Sequence, residues 1–153
     1  MARMDATLAT FLEGDGAQNV ATVDASGEPS VGRAWGLRVH PDGIVRAIVG
    51  ADTATTANLT IAGRIAVVVT DVATYRSVQV KGAIVGVEPA TAADHGVYAR
   101  YQGEFTAALL AAGRTTPMDH VWPAMIVAVK IEVDAVFDQT PGPGAGLPVP
   151  STQ

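Results

Sequence analysis

The stretch from Asn58 to Gly82, NLTIAGRIAVVVTDVATYRSVQVKG, sets two unlike strands next to each other. Ile65 to Val69 is a compact apolar run, rich in β-branched residues and bounded by Gly63 and Asp71. That pattern predicts a strand covered on both faces. Tyr75 to Gly82 alternates instead, with Val78 and Val80 on one side and Ser77, Gln79 and Lys81 on the other. A polar row opposite a core face, in a chain this apolar, marks a place where a ligand can sit.

The rest of the chain supplies the partners of these strands. Met4, Leu8, Phe11 and Leu12 fall at helical spacing behind Asp5, a cap residue, and Gly14 and Gly16 end that helix. A first strand, Asn19 to Val23, meets the turn Asp24 to Pro29, where Gly27 supplies positive φ. The second strand, Ser30 to Val39, is expected to put Val31, Arg33, Trp35, Leu37 and Val39 on one face. Gly32, Ala34, Gly36 and Arg38 would take the other. The turn His40 to Gly43 leads into a third strand, Ile44 to Val49. A short helix, Asp52 to Ala62, follows with Asp52 or Thr53 as its cap.

The fifth strand runs on to Val87, and Glu88-Pro89 breaks it. Thr91 to Ala112 is helical, with Asp94 near its start and Gly103 as a candidate break. Its apolar face would hold Val97, Tyr98, Tyr101, Phe105, Leu109 and Leu110. Gly113 to Pro123 reads as irregular. Met125 to Phe137 is the clearest strand, with Met125, Val127, Val129, Ile131 and Val133 inward and Lys130, Glu132 and Asp134 outward. Six strands, the early ones joined by hairpins, imply antiparallel pairing. With few helices they fit a mostly β fold, a small closed barrel that leaves no exposed edge. The domain spans 1–139, and the Pro/Gly-rich remainder, 140–153, cannot hold a helix or a central strand. It is expected to be a tail laid on a partner subunit.

Composition removes several function classes. At 153 residues the chain makes one domain, and 48% hydrophobic residues suffice for an ordinary core. A net charge of −5, with ten scattered Lys and Arg, speaks against nucleic acid and anionic membranes as partners. There is no cysteine, which excludes disulfides, thiolate metal sites and cysteine nucleophiles. The first 16 residues lack the apolar core of a signal peptide, and no apolar run approaches the ~20 residues of a membrane helix. The expected location is cytoplasmic. His40, His95 and His120 lie far apart with no metal-ligand spacing, so no metal site is expected. Neither Gly-x-Ser-x-Gly nor GxGxxG occurs, which argues against a hydrolase elbow and a Rossmann site. No side chain stands out as catalytic.

Three motifs in order carry a family resemblance: VATVDASGEPSVGRAWGL, then TATTANL followed by GRIAVVVTD, then YRSVQVKGAIVGVEP. Together they resemble the pyridoxamine 5′-phosphate oxidase-like family of FMN-binding split barrels, over roughly Val20 to Val136. The resemblance implies a six-stranded antiparallel split barrel, a homodimer, and FMN at the subunit interface. It implies an oxidoreductase acting on a small-molecule substrate it does not identify. A pyridoxamine phosphate oxidase proper is not expected, because no basic cluster near the C-terminus could seize a second phosphate.

Carried onto this chain, the flavin phosphate would meet the end of the third strand at Val49 and the helix start at Thr53, Thr55 and Thr56. Asn58 would brace the backbone there. Arg33 would reach the phosphate, and Trp35 would stack on the ring. Ser77, Gln79 and Lys81 would line the flavin's polar edge. The chain departs from the family at the helix start, where threonines and Asp52 replace a lysine or arginine. The phosphate would then need Arg33, Arg46, Arg76 or Lys81. That departure leaves the deazaflavin F420 and haem as alternatives to FMN, and a non-catalytic flavin-storage protein as the alternative to an enzyme.

Overall fold

The computed structural model describes residues 4–116 and 118–150; the first three and last three positions of the expected domain and tail lie outside them. Six antiparallel strands close into a barrel in the order β1-β2-β3-β6-β5-β4. They are β1 Ala17–Val23, β2 Pro29–Val39, β3 Ile44–Gly50, β4 Arg64–Thr70, β5 Ser77–Pro89 and β6 Ile126–Asp138. Three helices are added: α1 Ala6–Glu13, α2 Ala54–Ala62 and α3 Ala92–Ala111. The expected mostly β split barrel is therefore the observed fold. Its interior is filled by valines and isoleucines from every strand, among them Val20, Val45, Val67, Val80, Ile131 and Val133. Leu12 of α1 and Leu59 of α2 join that cluster.

The helices follow their caps. The Asp5 carboxylate accepts from the Leu8 N–H at the start of α1. Thr53, rather than Asp52, caps α2 by accepting from the Thr56 N–H. A capping box between Thr91 and Asp94 opens α3. Gly103 does not divide α3, which runs unbroken for 20 residues. Val97, Tyr98, Tyr101, Phe105 and Leu109 pack inward, whereas Leu110 is exposed.

The alternation expected in β2 fails at one point, and the failure shapes the molecule. Ala34 pairs with Val49 but Leu37 pairs with Ala47, so one extra residue is inserted into β2. Gly36 lies in this bulge with φ +135°, a value that few residues other than glycine tolerate. A Cβ there would also lie 2.7 Å from Val97 Cγ1 of α3. The bulge reverses the strand's faces. Leu37 and Val39 enter the barrel core, while Arg33 and Trp35 point outward under α3. Leu37 and Val39 therefore do not share a face with Trp35, as strict alternation required.

Other expectations shift in smaller ways. β4 is fully buried on one face only, since Ala66 and Val68 are half-exposed. β5 begins at Ser77 instead of Tyr75 and continues through Pro89. At Gly82 a Cβ would collide with the carbonyl oxygen of Glu132, which is why the strand motif closes on a glycine. Met125 lies outside β6 and is exposed. The tail folds back onto its own chain. Val149 donates to the Val136 carbonyl, Asp138 donates to Leu147, and Val149 packs on the core. Pro148 forms one antiparallel bridge with Phe137, and the tail's prolines limit the pairing to that point, so it covers the end of β6.

Candidate functional site

A cleft of about 500 Å³ opens between the outer face of β2, the start of α2 and the segment leading into β6. The Gly36 bulge builds its first wall by turning Arg33 and Trp35 toward α3. Arg33 Cζ lies 5.2 Å from the ring centroid of Trp35 and 5.2 Å from that of Phe105, within the range of cation–π attraction. Its Nε and Nη2 atoms are buried and have no hydrogen-bond partner. Beside it Tyr101 donates from its hydroxyl to the Gly16 carbonyl at 2.8 Å. Burial pushes the Tyr101 phenol up to about 12, and both the charge of Arg33 and the close approach of its guanidinium to the phenol work against that shift, although no contact there meets hydrogen-bond geometry.

The second wall is the start of α2. Thr53 caps the helix and donates a hydrogen bond from its hydroxyl to that of Thr56, which donates on to the Gly50 carbonyl at 2.6 Å. Thr55 is buried and its hydroxyl is 3.1 Å from that of Ser30 on β2. The N–H groups of Ala54 and Thr55 belong to the first turn, which has no intrahelical acceptor for them, and both residues line the cleft. Asn58 donates to the Thr22 hydroxyl, which in turn donates to the Thr55 carbonyl. The asparagine thus braces the helix start through a neighbour.

The third wall comes from the segment read as irregular. Trp122 packs against Trp35 with ring centroids 5.0 Å apart at 62°. Tyr98 and Phe105 also meet Trp122 edge-on, each at 6.4 Å. His120 lines the same cleft. Neither Trp122 nor His120 was marked by periodicity, since the segment holds a single 3-10 turn, Asp119–Val121. The one available signal was a tryptophan in an otherwise polar, irregular stretch.

One chain brings together only part of the expected set. Arg33, Trp35, Thr53 and Thr55 line the cleft. Thr56 supports it from behind, and Asn58 braces it. Val49 points into the barrel core, 2% exposed, and offers no side chain to a ligand. Ser77, Gln79 and Lys81 lie on β5, away from this cleft. Ser77 is buried against Thr70 and Tyr75, Gln79 accepts from Gln139 just after β6, and Lys81 sits over the Phe137 ring.

The alternative cations are also committed elsewhere. Arg46 makes a two-point contact with Asp94, 2.7 Å on each branch, and reaches Glu88 at 2.8 Å. The Arg46 guanidinium holds the Asp94 carboxyl far below the usual carboxylate range, and the Thr91 N–H and hydroxyl assist. Arg76 stacks on Phe11 at 4.3 Å. Among the described residues no group of three or more His, Asp or Glu is placed to hold a metal ion. No helix among them is long and apolar enough to cross a membrane.

The cleft therefore joins one unsatisfied cation, a helix N-terminus and an aromatic wall. That combination suits a ligand with an anionic group and a flat ring. Comparison with known proteins agrees with the architecture. The family model described as pyridoxamine 5′-phosphate oxidase matches residues 4–139. Among curated proteins none matches the sequence. A crystal structure of HupZ from Group A Streptococcus is similar at 23% identity and TM-score 0.59, covering 94% of this chain and 100% of that one. An F420 reductase is similar at 19% identity and TM-score 0.56, over 83% and 93% of the two chains. HutZ, the heme storage protein from Vibrio cholerae, is similar at 13% identity and TM-score 0.56, over 89% and 94%. At these identities the structural likeness concerns the fold. The family match spans most of the chain, which belongs to the pyridoxamine 5′-phosphate oxidase family.

Proposed function

We propose that this member of the family holds FMN in the cleft between β2 and α2 and acts as a flavin-dependent oxidoreductase on a small molecule. The carrying observation is the Arg33 guanidinium, with two nitrogens buried and unpaired at the cleft wall. Arg33 as a whole is half-buried, but two of its nitrogens are shut off from water without a partner, which is unfavourable. An anionic oxygen beside Arg33 removes that penalty. The Ala54 and Thr55 N–H groups add dipole attraction to the same anion. Asp52 at the cleft edge favours an arrangement in which Arg33, not the helix start, carries most of the charge contact.

In this reading each residue has a limited task. Arg33 and the α2 start hold the phosphate, while Trp35 and the residues around it keep water from one side of the ring. FMN, when bound, supplies hydride chemistry; the chain supplies position and a dry wall. No side chain is assigned as acid or base. Ser77, Gln79 and Lys81 can approach the ring only from a second copy of the chain. Val31 and Met125 at the cleft rim are 72% and 59% exposed, an apolar surface of the kind that subunit contacts bury. The proposed assembly is accordingly a homodimer, and the proposed location is cytoplasmic.

The test is direct. Purified protein is denatured and the released small molecule identified by mass spectrometry, alongside titration of the native protein with FMN. A colourless protein that ignores added FMN ends the proposal. Turnover with a panel of reductants separates an oxidoreductase from a flavin-storage protein, and the same mass spectrum distinguishes FMN from the deazaflavin F420. Sedimentation as a clean monomer would remove the interfacial site. A second reading, haem binding, is favoured by His120 at the cleft, since imidazole is a common axial ligand. It predicts a Soret band on titration that His120→Ala abolishes and His40→Ala and His95→Ala leave in place.

A further inference from the structure

Trp35 is the flat surface on which a ring ligand would lie, yet it is only 6% exposed. Two neighbours cover it. The Arg33 guanidinium sits over its ring at 5.2 Å, and Trp122 packs on it at 5.0 Å. No room remains for a stacked ligand while Trp122 stays in place. Arg33 is held on a barrel strand, but the residues around Trp122 are not. Among the described residues, the backbone between Met118 and Ala124 bonds to itself through the short 3-10 turn Asp119–Val121, where the Val121 N–H donates to the Met118 carbonyl. The short turn there has no side-chain cap. Among the described residues a single hydrogen bond ties this stretch to the rest of the protein, from the Tyr98 hydroxyl of α3 to the Pro123 carbonyl at 3.0 Å. Fixed pairing resumes at Met125, whose carbonyl accepts from the Ala51 N–H.

We propose that Met118–Ala124 is a hinged cover over the cleft, with Tyr98 as its latch, and that a flat ligand binds by displacing Trp122 from Trp35. The inference rests on the reading of this cleft as a ring-binding site. It adds that the site exists in a closed form which the ligand must open. Apparent affinity is then reduced by the fraction of closed molecules. Tyr98 and Trp122 set that fraction without belonging to the anion contact. An inorganic anion can enter the cleft that Arg33 lines without moving Trp122, whereas a ring stacked on Trp35 cannot.

The chain contains two tryptophans, Trp35 and Trp122. Held 5.0 Å apart at 62°, they couple their electronic transitions and give a far-ultraviolet circular dichroism couplet. Trp122→Phe should abolish it. Tyr98→Phe, which removes only the latch hydroxyl, should weaken the couplet, raise acrylamide quenching of tryptophan fluorescence, and speed FMN association about two- to tenfold. Saturating FMN should erase the couplet in the wild type, and inorganic phosphate should leave it. A couplet that survives FMN saturation overturns the cover, and so does a Tyr98→Phe protein whose couplet and quenching match the wild type. If FMN binds neither protein, the flavin reading fails by itself, and the ligand-free couplet and quenching still decide the cover.

Discussion

Two arginines on neighbouring strands should respond in opposite ways to the same substitution. Arg46 is 7% exposed and fully engaged, with Asp94, itself 1% exposed, accepting two of its hydrogen bonds. Arg46→Met leaves the Asp94 carboxylate buried without its cation. Breaking a buried pair from one side costs about 3–5 kcal/mol. For a domain of this size 1 kcal/mol shifts Tm by about 2–4 °C, so the fall should be roughly 6–20 °C. Arg33→Met removes a cation whose Nε and Nη2 have no partner to lose. The forfeited cation–π contacts to Trp35 and Phe105 are worth about 0.5–1 kcal/mol each. They are offset by relief of the unpaired charge and by a methionine that refills the space. Ligand-free Arg33→Met should therefore stay within about 1 kcal/mol of the wild type.

Binding reverses the ranking. An anionic ligand loses a charge-assisted hydrogen bond in Arg33→Met, about 1.5–3 kcal/mol, or roughly 10- to 150-fold in Kd. The assay is urea denaturation of each protein, alone and with FMN or inorganic phosphate. Ligand stabilisation should shrink by up to about 1.5–3 kcal/mol in Arg33→Met and persist in whatever Arg46→Met remains folded. If ligand-free Arg33→Met loses as much stability as Arg46→Met, the guanidinium is structural and the anion argument fails.

Three further outcomes follow from the same geometry. Asp94 has a folded-state pKa depressed below the ordinary aspartate value near 4, so its stabilisation is present above about pH 4 and is lost as pH falls through the lower folded value; denaturation midpoints should drop with acidification in that window, and Asp94→Asn should flatten the dependence while lowering stability at neutral pH. Gly36→Ala forces a side chain into φ +135° and against Val97, so stability should fall by about 1–3 kcal/mol or more, with weakened tertiary circular dichroism from the aromatic cluster. Gly103→Ala places a methyl group in open space within an unbroken helix and should raise stability by about 0.5–1 kcal/mol; a fall would mean that α3 is interrupted there after all.

The barrel was largely legible in the chain because each of its strands announces itself locally. Met125 to Phe137 alternates cleanly, and the turns at Asp24 and His40 carry glycines where hairpins need them. The site was legible only where a residue's neighbours in sequence also build its environment, as for Thr53 and Asn58. Strict alternation put Leu37 and Val39 beside Trp35, and the inserted residue at Gly36 undid that. A glycine inside a strand pattern is the sequence mark of a bulge, but it does not say which way the faces will turn. Arg46 read as a free cation because its partner Asp94 lies 48 residues away. Ser77, Gln79 and Lys81 do share a polar row, but within one chain the folded tail and the end of β6 occupy it.

The cleft lies at a seam between parts secured with very different strength. On one side are the barrel strands, paired along their whole length. α3 is fixed to them by the Arg46–Asp94 pair at its start and by the Tyr101–Gly16 bond near its middle. On the other side, among the described residues, Met118–Ala124 is attached by one hydrogen bond and by the packing of Met118, Val121 and Trp122 on the aromatic cluster. A strand residue such as Arg33 can stay aimed and unsatisfied because the barrel's stability does not depend on its pairing. A covering residue such as Trp122 can be displaced because little else moves with it. On the proposed reading, ligand chemistry depends on a few side chains at the seam, so a change at Arg33, His120 or Trp122 should alter what is bound while the barrel, which those residues do not hold together, keeps its stability.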